Sequence, residues 1–402
     1  MRLWRLGLSG MLLGAGLLCA GPLPVHAVTW LPELELEGRH DNNVLHRAEG
    51  SEDFVTAVAP GLTIFNRDPV TSYELKGRSA FTSYSRTNAG TSRNDVASLA
   101  FDHRPGIFNH LEARARYVRS VDPIDFQDGV VTTRGDVTNV FTRALADFRR
   151  FGAGVRHRRW DYEDGGLADG DAVDLSGRLY PVRTDITRGT LEIRHRALRI
   201  GNERTLRADY QTVSLRREHS AMFSTEYTVG RVQVDYGAEG GVDVRPALAL
   251  GFTRKGGDPE APVTLRLRVA DDIATTVEAS FDVDRDGRSA TLAWDTSVEA
   301  DGGQYRVATL TRRGSATLRD TLYGGQVIDV AGSYGRTRPL RGQGPEVDLW
   351  RAGAGISVPF GGWLTGRVGW DFMRQDAPES GSATAFDRNR FTLTLTAKPW
   401  RE

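Results

Sequence analysis

Phe391-Thr392-Leu393-Thr394-Leu395-Thr396-Ala397-Lys398 is the stretch whose reading decides the fold. Phe391, Leu393, Leu395 and Ala397 fall on one side, and Thr392, Thr394, Thr396 and Lys398 on the other. Successive side chains of an extended strand point to opposite faces, so the segment predicts a ribbon with one apolar and one polar face. Its length suits the roughly 9–11 residues with which a tilted strand crosses a bilayer. Phe391 and Trp400, at its two ends, suit the two membrane–water interfaces. The last strand of a transmembrane barrel and the edge strand of a secreted β-sandwich both carry this pattern, and the rest of the chain decides between them.

Working back from this ribbon, the same alternation recurs. Leu111, Ala113, Ala115 and Tyr117 alternate with Glu112, Arg114 and Arg116; Leu191 and Ile193 alternate with Glu192, Arg194 and Arg196. Val232, Val234 and Tyr236 alternate with Arg231, Gln233 and Asp235. Val263, Leu265, Leu267 and Val269 alternate with Thr264, Arg266 and Arg268, and Val277, Ala279 and Phe281 with Glu278 and Ser280. Leu364, Val368, Trp370 and Phe372 share a face opposite Thr365, Arg367 and Asp371. The connections alternate in length. Short turns (Asn66–Pro69, Arg104–Gly106, Pro359–Gly362) take turns with long polar excursions (Asp41–Asp53, Ser85–Asp95, Asp122–Asp136, Asp161–Asp171, Gln375–Ala383). Short periplasmic turns and long outer loops are the rhythm of a transmembrane barrel, and a sandwich has no reason for it. A propeller would repeat a blade motif every ~40–50 residues, and none is visible. The predicted fold is therefore all-β: one antiparallel transmembrane β-barrel of about 18 strands, range roughly 16–20, with lipid-facing positions that include Leu393, Leu395, Leu265, Leu267, Val232 and Val234.

The N-terminus reads as a secretory signal peptide over residues 1–27. Arg2 and Arg5 precede an apolar run from Leu6 to Leu18 that is shorter than the ~18 residues a spanning helix needs, and Val25-His26-Ala27 offers a small-residue cleavage site. Residues 28–402 form the barrel. The one cysteine, Cys19, lies in the signal segment, so the mature chain has no disulfide framework, no cysteine-based zinc site and no cysteine nucleophile. Lys+Arg and Asp+Glu balance at 52 each, which excludes the basic footprint of a nucleic-acid binder. No apolar run in the mature chain reaches helix-spanning length, and only helices and closed barrels satisfy every backbone group in lipid.

Motifs for chemistry fail on inspection. Asp282-Val283-Asp284-Arg285-Asp286-Gly287 opens like a calcium loop, but Ala293 stands where the bidentate glutamate belongs, and the run reads as an acidic hairpin turn. There is no G-x-S-x-G element, and the mature histidines (His40, His46, His103, His110, His157, His195, His219) are scattered, with His103 and His110 expected solvated at the barrel rim. No enzyme, catalytic residue, cofactor or metal is expected.

If the apolar faces meet lipid, the polar faces line a lumen. Its wall would carry Arg114, Arg116, Arg194, Arg196, Arg266, Arg268 and Arg367, interleaved with Glu112, Glu192, Glu278 and Asp371. One reading is a ladder of cross-strand ion pairs that stiffens the wall. The other is a mixed-charge pore that slows or orients anionic solutes such as acidic sugars.

Asp41-Asn42-Asn43-Val44, Glu52-Asp53-Phe54, Ala59-Pro60-Gly61-Leu62 and the Tyr73 to Tyr84 strand followed by Arg93-Asn94-Asp95 resemble the β-barrel porin 2 family over about the first quarter of the chain. That resemblance implies an outer-membrane pore or scaffold linked to exopolysaccharide or capsule export, reached through the Sec pathway, with outer-membrane lipid and a polysaccharide or small solute as partners and no established substrate. The ending Trp400-Arg401-Glu402 departs from the terminal aromatic usual in such barrels. The functional expectation is a porin-like channel for small or anionic solutes. The alternative is a closed structural or adhesive barrel acting through its extracellular loops. Monomer and homotrimer remain equally open.

Overall fold

The computed structural model describes residues 28–398 apart from 45–49, 87–90, 121–136, 163–168, 202, 238–240, 259–260, 286, 301–307, 341–345 and 378–384. The signal segment, the Asp122–Asp136 loop, Asp286 and Trp400 lie outside the described residues, as do parts of the other long loops.

The alternating segments become twenty strands: β1 (Thr29–Asp41), β2 (Asp53–Arg67), β3 (Thr71–Tyr84), β4 (Thr91–Gly106), β5 (Asn109–Ser120), β6 (Val137–Asp147), β7 (Phe151–Tyr162), β8 (Gly170–Arg183), β9 (Thr187–Ile200) and β10 (Glu203–Ser220) form the first half. The second half is β11 (Phe223–Asp235), β12 (Val242–Asp258), β13 (Ala261–Asp271), β14 (Thr275–Arg285), β15 (Arg288–Ala300), β16 (Ala308–Thr321), β17 (Val327–Pro339), β18 (Val347–Pro359), β19 (Leu364–Asp376) and β20 (Phe386–Ala397). Each strand pairs antiparallel with its sequence neighbours, and β1 pairs with β20, with Leu36 opposite Leu395, so the sheet closes. Closure leaves the sheet without a free first or last strand. The all-β closed barrel of the sequence reading stands, with a count at the upper end of its range. At the end that otherwise carries the longer loops two connections are short, residues 201–202 between β9 and β10 and Asp272–Ala274 between β13 and β14, so the loop rhythm fails there. Likewise, Thr91–Asp95, read as loop, is the start of β4.

Turn chemistry sets the strand ends. After β2, the Asp68 carboxylate accepts the Val70 and Thr71 amides at 2.8 and 3.0 Å, closing an Asx turn. Gly287, between β14 and β15, sits at φ +81°, a left-handed conformation open to glycine at no steric cost.

Which face is inside follows from one contact. Arg196 Nη2 of β9 donates to the Val298 carbonyl of β15 at 2.7 Å, and strands six apart in the sheet order meet only across the interior. Arg196 is therefore inward, and the register carries that assignment round the wall. Outward go Trp30, Leu34, Leu36, Phe54, Val58, Leu62, Leu191, Ile193, Leu265, Val368, Leu393 and Leu395, all exposed. Leu267 shares the outward face of Leu265 and is partly covered. A contiguous apolar belt of this extent is far beyond what a water-facing surface carries.

Val232 and Val234 correct the sequence reading. They face inward and are fully buried, packed with Leu198, Leu206, Ala208 and Tyr210 at the end of the barrel remote from both termini. Alternation says that a strand has two faces but not which one is inside. Here Arg231, Gln233 and Asp235 point outward beside Arg207 and Asp209, so over this end of β9–β11 the outer face is polar and the inner face is a core.

That core has a lid from across the barrel. β15 stops pairing with β14 at Trp294, and beyond it the ends of β15–β17 leave the wall. Val298 and Leu310 join the cluster of Leu198, Tyr210 and Val232. On the opposite face, Thr309, Thr311 and Thr337 are also buried, with the Thr311 and Thr337 hydroxyls 3.1 Å apart. A wall strand has lipid on one face and the lumen on the other; these strand ends are covered on both. They form a partition across this mouth.

Candidate functional site

The inner wall below the partition is the candidate site. By register, Glu112, Arg114 and Arg116 of β5, Glu192, Arg194 and Arg196 of β9, Arg266 and Arg268 of β13, Glu278 of β14, and Arg367 and Asp371 of β19 all lie on the face of Arg196. They do not converge on one point. They are spread round the circumference and divide into two sets.

One set is ion-paired. Arg114 meets Glu112 at 2.8 Å, Arg178 meets Glu192 at 2.9 Å, Arg194 meets Asp174 at 2.5 Å and Arg367 meets Asp329 at 2.6 Å. Asp371 accepts Arg390 at 3.1 Å, and further pairs join Arg78 to Glu35 and Lys398 to Glu33. These pairs stiffen the wall side chain to side chain: Arg178–Glu192 and Arg194–Asp174 join neighbouring strands, Arg367–Asp329 and Arg78–Glu35 reach two strands away, and Arg114–Glu112 lies within β5. The other set is not paired. Among the described residues Arg116, Arg266 and Arg268 have no carboxylate within ion-pair distance, although Glu278 stands directly opposite Arg268 in the register. Beside Arg266 and Arg268, Thr253, Ser280 and Ala293 keep the wall low and leave a recess of about 360 Å³. Arg266 and Arg268 keep donors open toward the lumen, and the same recess carries Glu226, Glu278 and Asp295, so its lining is of mixed charge.

The sequence reading passed over two features. Asp41, read as the start of a polar loop and as part of a resemblance, is fully buried and accepts Arg388 Nε and Nη2 at 2.9 and 2.5 Å and the Asn43 amide at 3.0 Å. Asn43 Nδ2 in turn donates to the Asp387 carbonyl, and the Asn389 amide to Asn42 Oδ1. Asp41-Asn42-Asn43 thus fastens the first strand to the last where the barrel closes. Asp53 does the same one strand on, taking the Ser85 and Arg86 amides at 2.9 Å each. Outside the strands, the His40 hydrogen bond and the Arg86 charge hold the Glu52 carboxyl below its ordinary range. The second feature is the group Arg313, Arg351, Arg388 and Arg390. Arginine spaced by two in Arg388-x-Arg390, on the polar face of the terminal ribbon, was the available signal.

Asp102, His110 and Glu112 bring three ligand atoms within 4.8 Å of one another. Their oxygens are already engaged: His110 at 2.9 Å and Arg104 at 2.7 Å on Asp102, and Arg114 on Glu112 with Arg143 at 3.9 Å. Three guanidinium charges around two carboxylates make a charge network and oppose a cation. His103 and His110, expected solvated, are both hydrogen-bonded, His103 to the Thr71 hydroxyl at 2.7 Å and His110 to Asp102.

No protein-family model matches the chain, and no curated protein is similar to it in sequence. Among solved structures it is similar to Acinetobacter baumannii OccAB4, with 8% identity over 94% of this chain and 100% of that one and a TM-score of 0.42. It is similar to Pseudomonas aeruginosa OccD3 (OpdP), with 9% identity over 92% of each chain and a TM-score of 0.42. The siderophore receptor PirA of Pseudomonas aeruginosa matches at 9% identity over 91% of this chain and 80% of its own, with a TM-score of 0.43.

Proposed function

We propose that this protein is a porin-like channel of the outer membrane of a Gram-negative-type bacterium, exported through the Sec pathway, whose lumen passes small or anionic solutes. The observation that carries the reading is the inner wall itself: a closed ring of strands whose charged inward face includes Arg116, Arg266 and Arg268 with no ion-pair partner among the described residues. The outward apolar belt supports a bilayer as the solvent on the other side. Folded protein in planar bilayers should conduct with a preference for anions, and replacing Arg266 and Arg268 together by glutamine should reduce that preference. A barrel that inserts and never conducts overturns the reading. A link to exopolysaccharide export rests on the resemblance of the first quarter of the chain, and a gene neighbourhood without such a system removes it.

A closed structural or adhesive barrel is the second reading, and the partition of β15–β17 ends across one mouth favours it. In that case deleting Asp161–Asp171, the β7–β8 connection with the two strand ends that flank it, abolishes surface binding while permeability is unchanged.

A further inference from the structure

A second recess, of about 440 Å³, opens on the inner face of β16–β20 directly below the partition. The ladder register aligns Ser315, Ser333, Arg351, Met373 and Arg388 in one row across these five strands. Arg313 projects two residues to one side of that row and Arg390 two residues to the other, roughly 7 Å away along the strand. Four guanidinium groups therefore face one concavity.

Arg351 has an interaction of its own within the protein, and Arg388 is neutralised by Asp41 and Arg390 by Asp371. Arg313 is not. It forms no ion pair among the described residues, although Asp295 is opposite it in the register, and its Nη2 is buried with no hydrogen-bond acceptor. A guanidinium does not lose its proton, so the wall holds a buried donor that no protein acceptor receives. Such a group is expensive to keep unless something periodically satisfies it.

We propose that this recess is a binding station for a carboxylated sugar. Its carboxylate takes the fork of Arg313 with Arg351 alongside, because a planar guanidinium matches a carboxylate with two parallel hydrogen bonds. The sugar ring lies over the low floor that Gly353 leaves, where an added Cβ would meet Asp371 Oδ1 at 3.2 Å. The Ser315 and Ser333 hydroxyls and the Asp371 carboxylate then serve the ring hydroxyls, which a simple anion does not possess. The station rests on the channel reading for its access from water, and it makes its own demand on binding.

Equilibrium titration of the detergent-folded full chain with glucuronate, glucose and inorganic phosphate tests it. Glucuronate binds, and glucose and phosphate bind at least tenfold more weakly. Arg313→Gln and Arg351→Gln each weaken glucuronate about tenfold or more, while Arg288→Gln, at a distant turn, leaves it unchanged. Heat-modifiable migration confirms that each variant is folded. Equal binding of glucose removes the carboxylate from the proposal, equal binding of phosphate removes the sugar, and an unchanged Arg313→Gln removes the site. Binding without conductance leaves the station standing and overturns the channel; conductance without glucuronate binding does the reverse.

Discussion

Removing the Asp41 carboxylate should open the barrel at its closing seam. Asp41 is 0% exposed and Arg388 13% exposed on their side chains, and the pair holds β1 to β20 beside their last register pair, Asp41–Arg390, beyond which the Asn42 amide still donates to the Asn389 carbonyl at 3.1 Å. Asp41→Ala strands the Arg388 guanidinium inside the wall, and breaking a buried pair by taking away one member costs about 3–5 kcal/mol. The Asn43 amide loses its acceptor as well, for ~1 kcal/mol more. Asp41→Ala/Arg388→Ala removes both charges, so it should recover much of that loss and give a coupling energy of roughly 2–3 kcal/mol in a double-mutant cycle. Arg374→Ala is the comparison: its pair with Asp376 is 52% and 47% exposed and should be worth less than about 1 kcal/mol. Urea unfolding of the refolded protein in lipid vesicles, followed by heat-modifiable migration on a gel, reports the midpoints, and slopes should stay constant. The reasoning is refuted if Asp41→Ala shifts the midpoint no more than Arg374→Ala, or if the double variant loses as much as the two single variants summed.

Two further outcomes follow from the same wall. Val298→Asp with Leu310→Asp places carboxylates in the apolar cluster that holds the β15–β17 partition, where two buried side chains contribute about 1.5–3 kcal/mol each, so single-channel conductance should rise while the migration of folded protein is kept; an unchanged conductance would show that the partition does not limit flow. Gly230→Ala in β11 brings a Cβ against the Gln211 carbonyl and to 2.7 Å from Thr212 Cα, both backbone atoms of β10, so it should lower the urea midpoint by the equivalent of about 1–3 kcal/mol, whereas Gly77→Ala, where a Cβ would meet nothing within 4 Å, should leave it in place.

The candidate site was legible in part. Glu112, Arg114, Glu192, Arg194, Arg266 and Arg268 share a face because alternate residues of a strand must, and that much is local geometry. Which arginine finds a carboxylate is not local. Arg194 reaches Asp174 on the preceding strand and Arg367 reaches Asp329 two strands away, and those distances depend on register and on twist. The four-arginine recess was missed for the same reason: Arg313, Arg351, Arg388 and Arg390 are separated in the chain and become neighbours only because β16–β20 stack in order.

From sequence alone came the period of two, the glycine and aspartate turns and the absence of any spanning helix, and these suffice for a closed β-wall because no other strand architecture satisfies its backbone in lipid. Tertiary structure alone decided the direction each face points. At Leu393 and Leu395 the apolar side is outward, and at Val232 and Val234 the same pattern is turned inward. An apolar side chain seeks any place without water, and a barrel has two such places: the bilayer round its girth, and a core that strands from opposite walls make only when they meet.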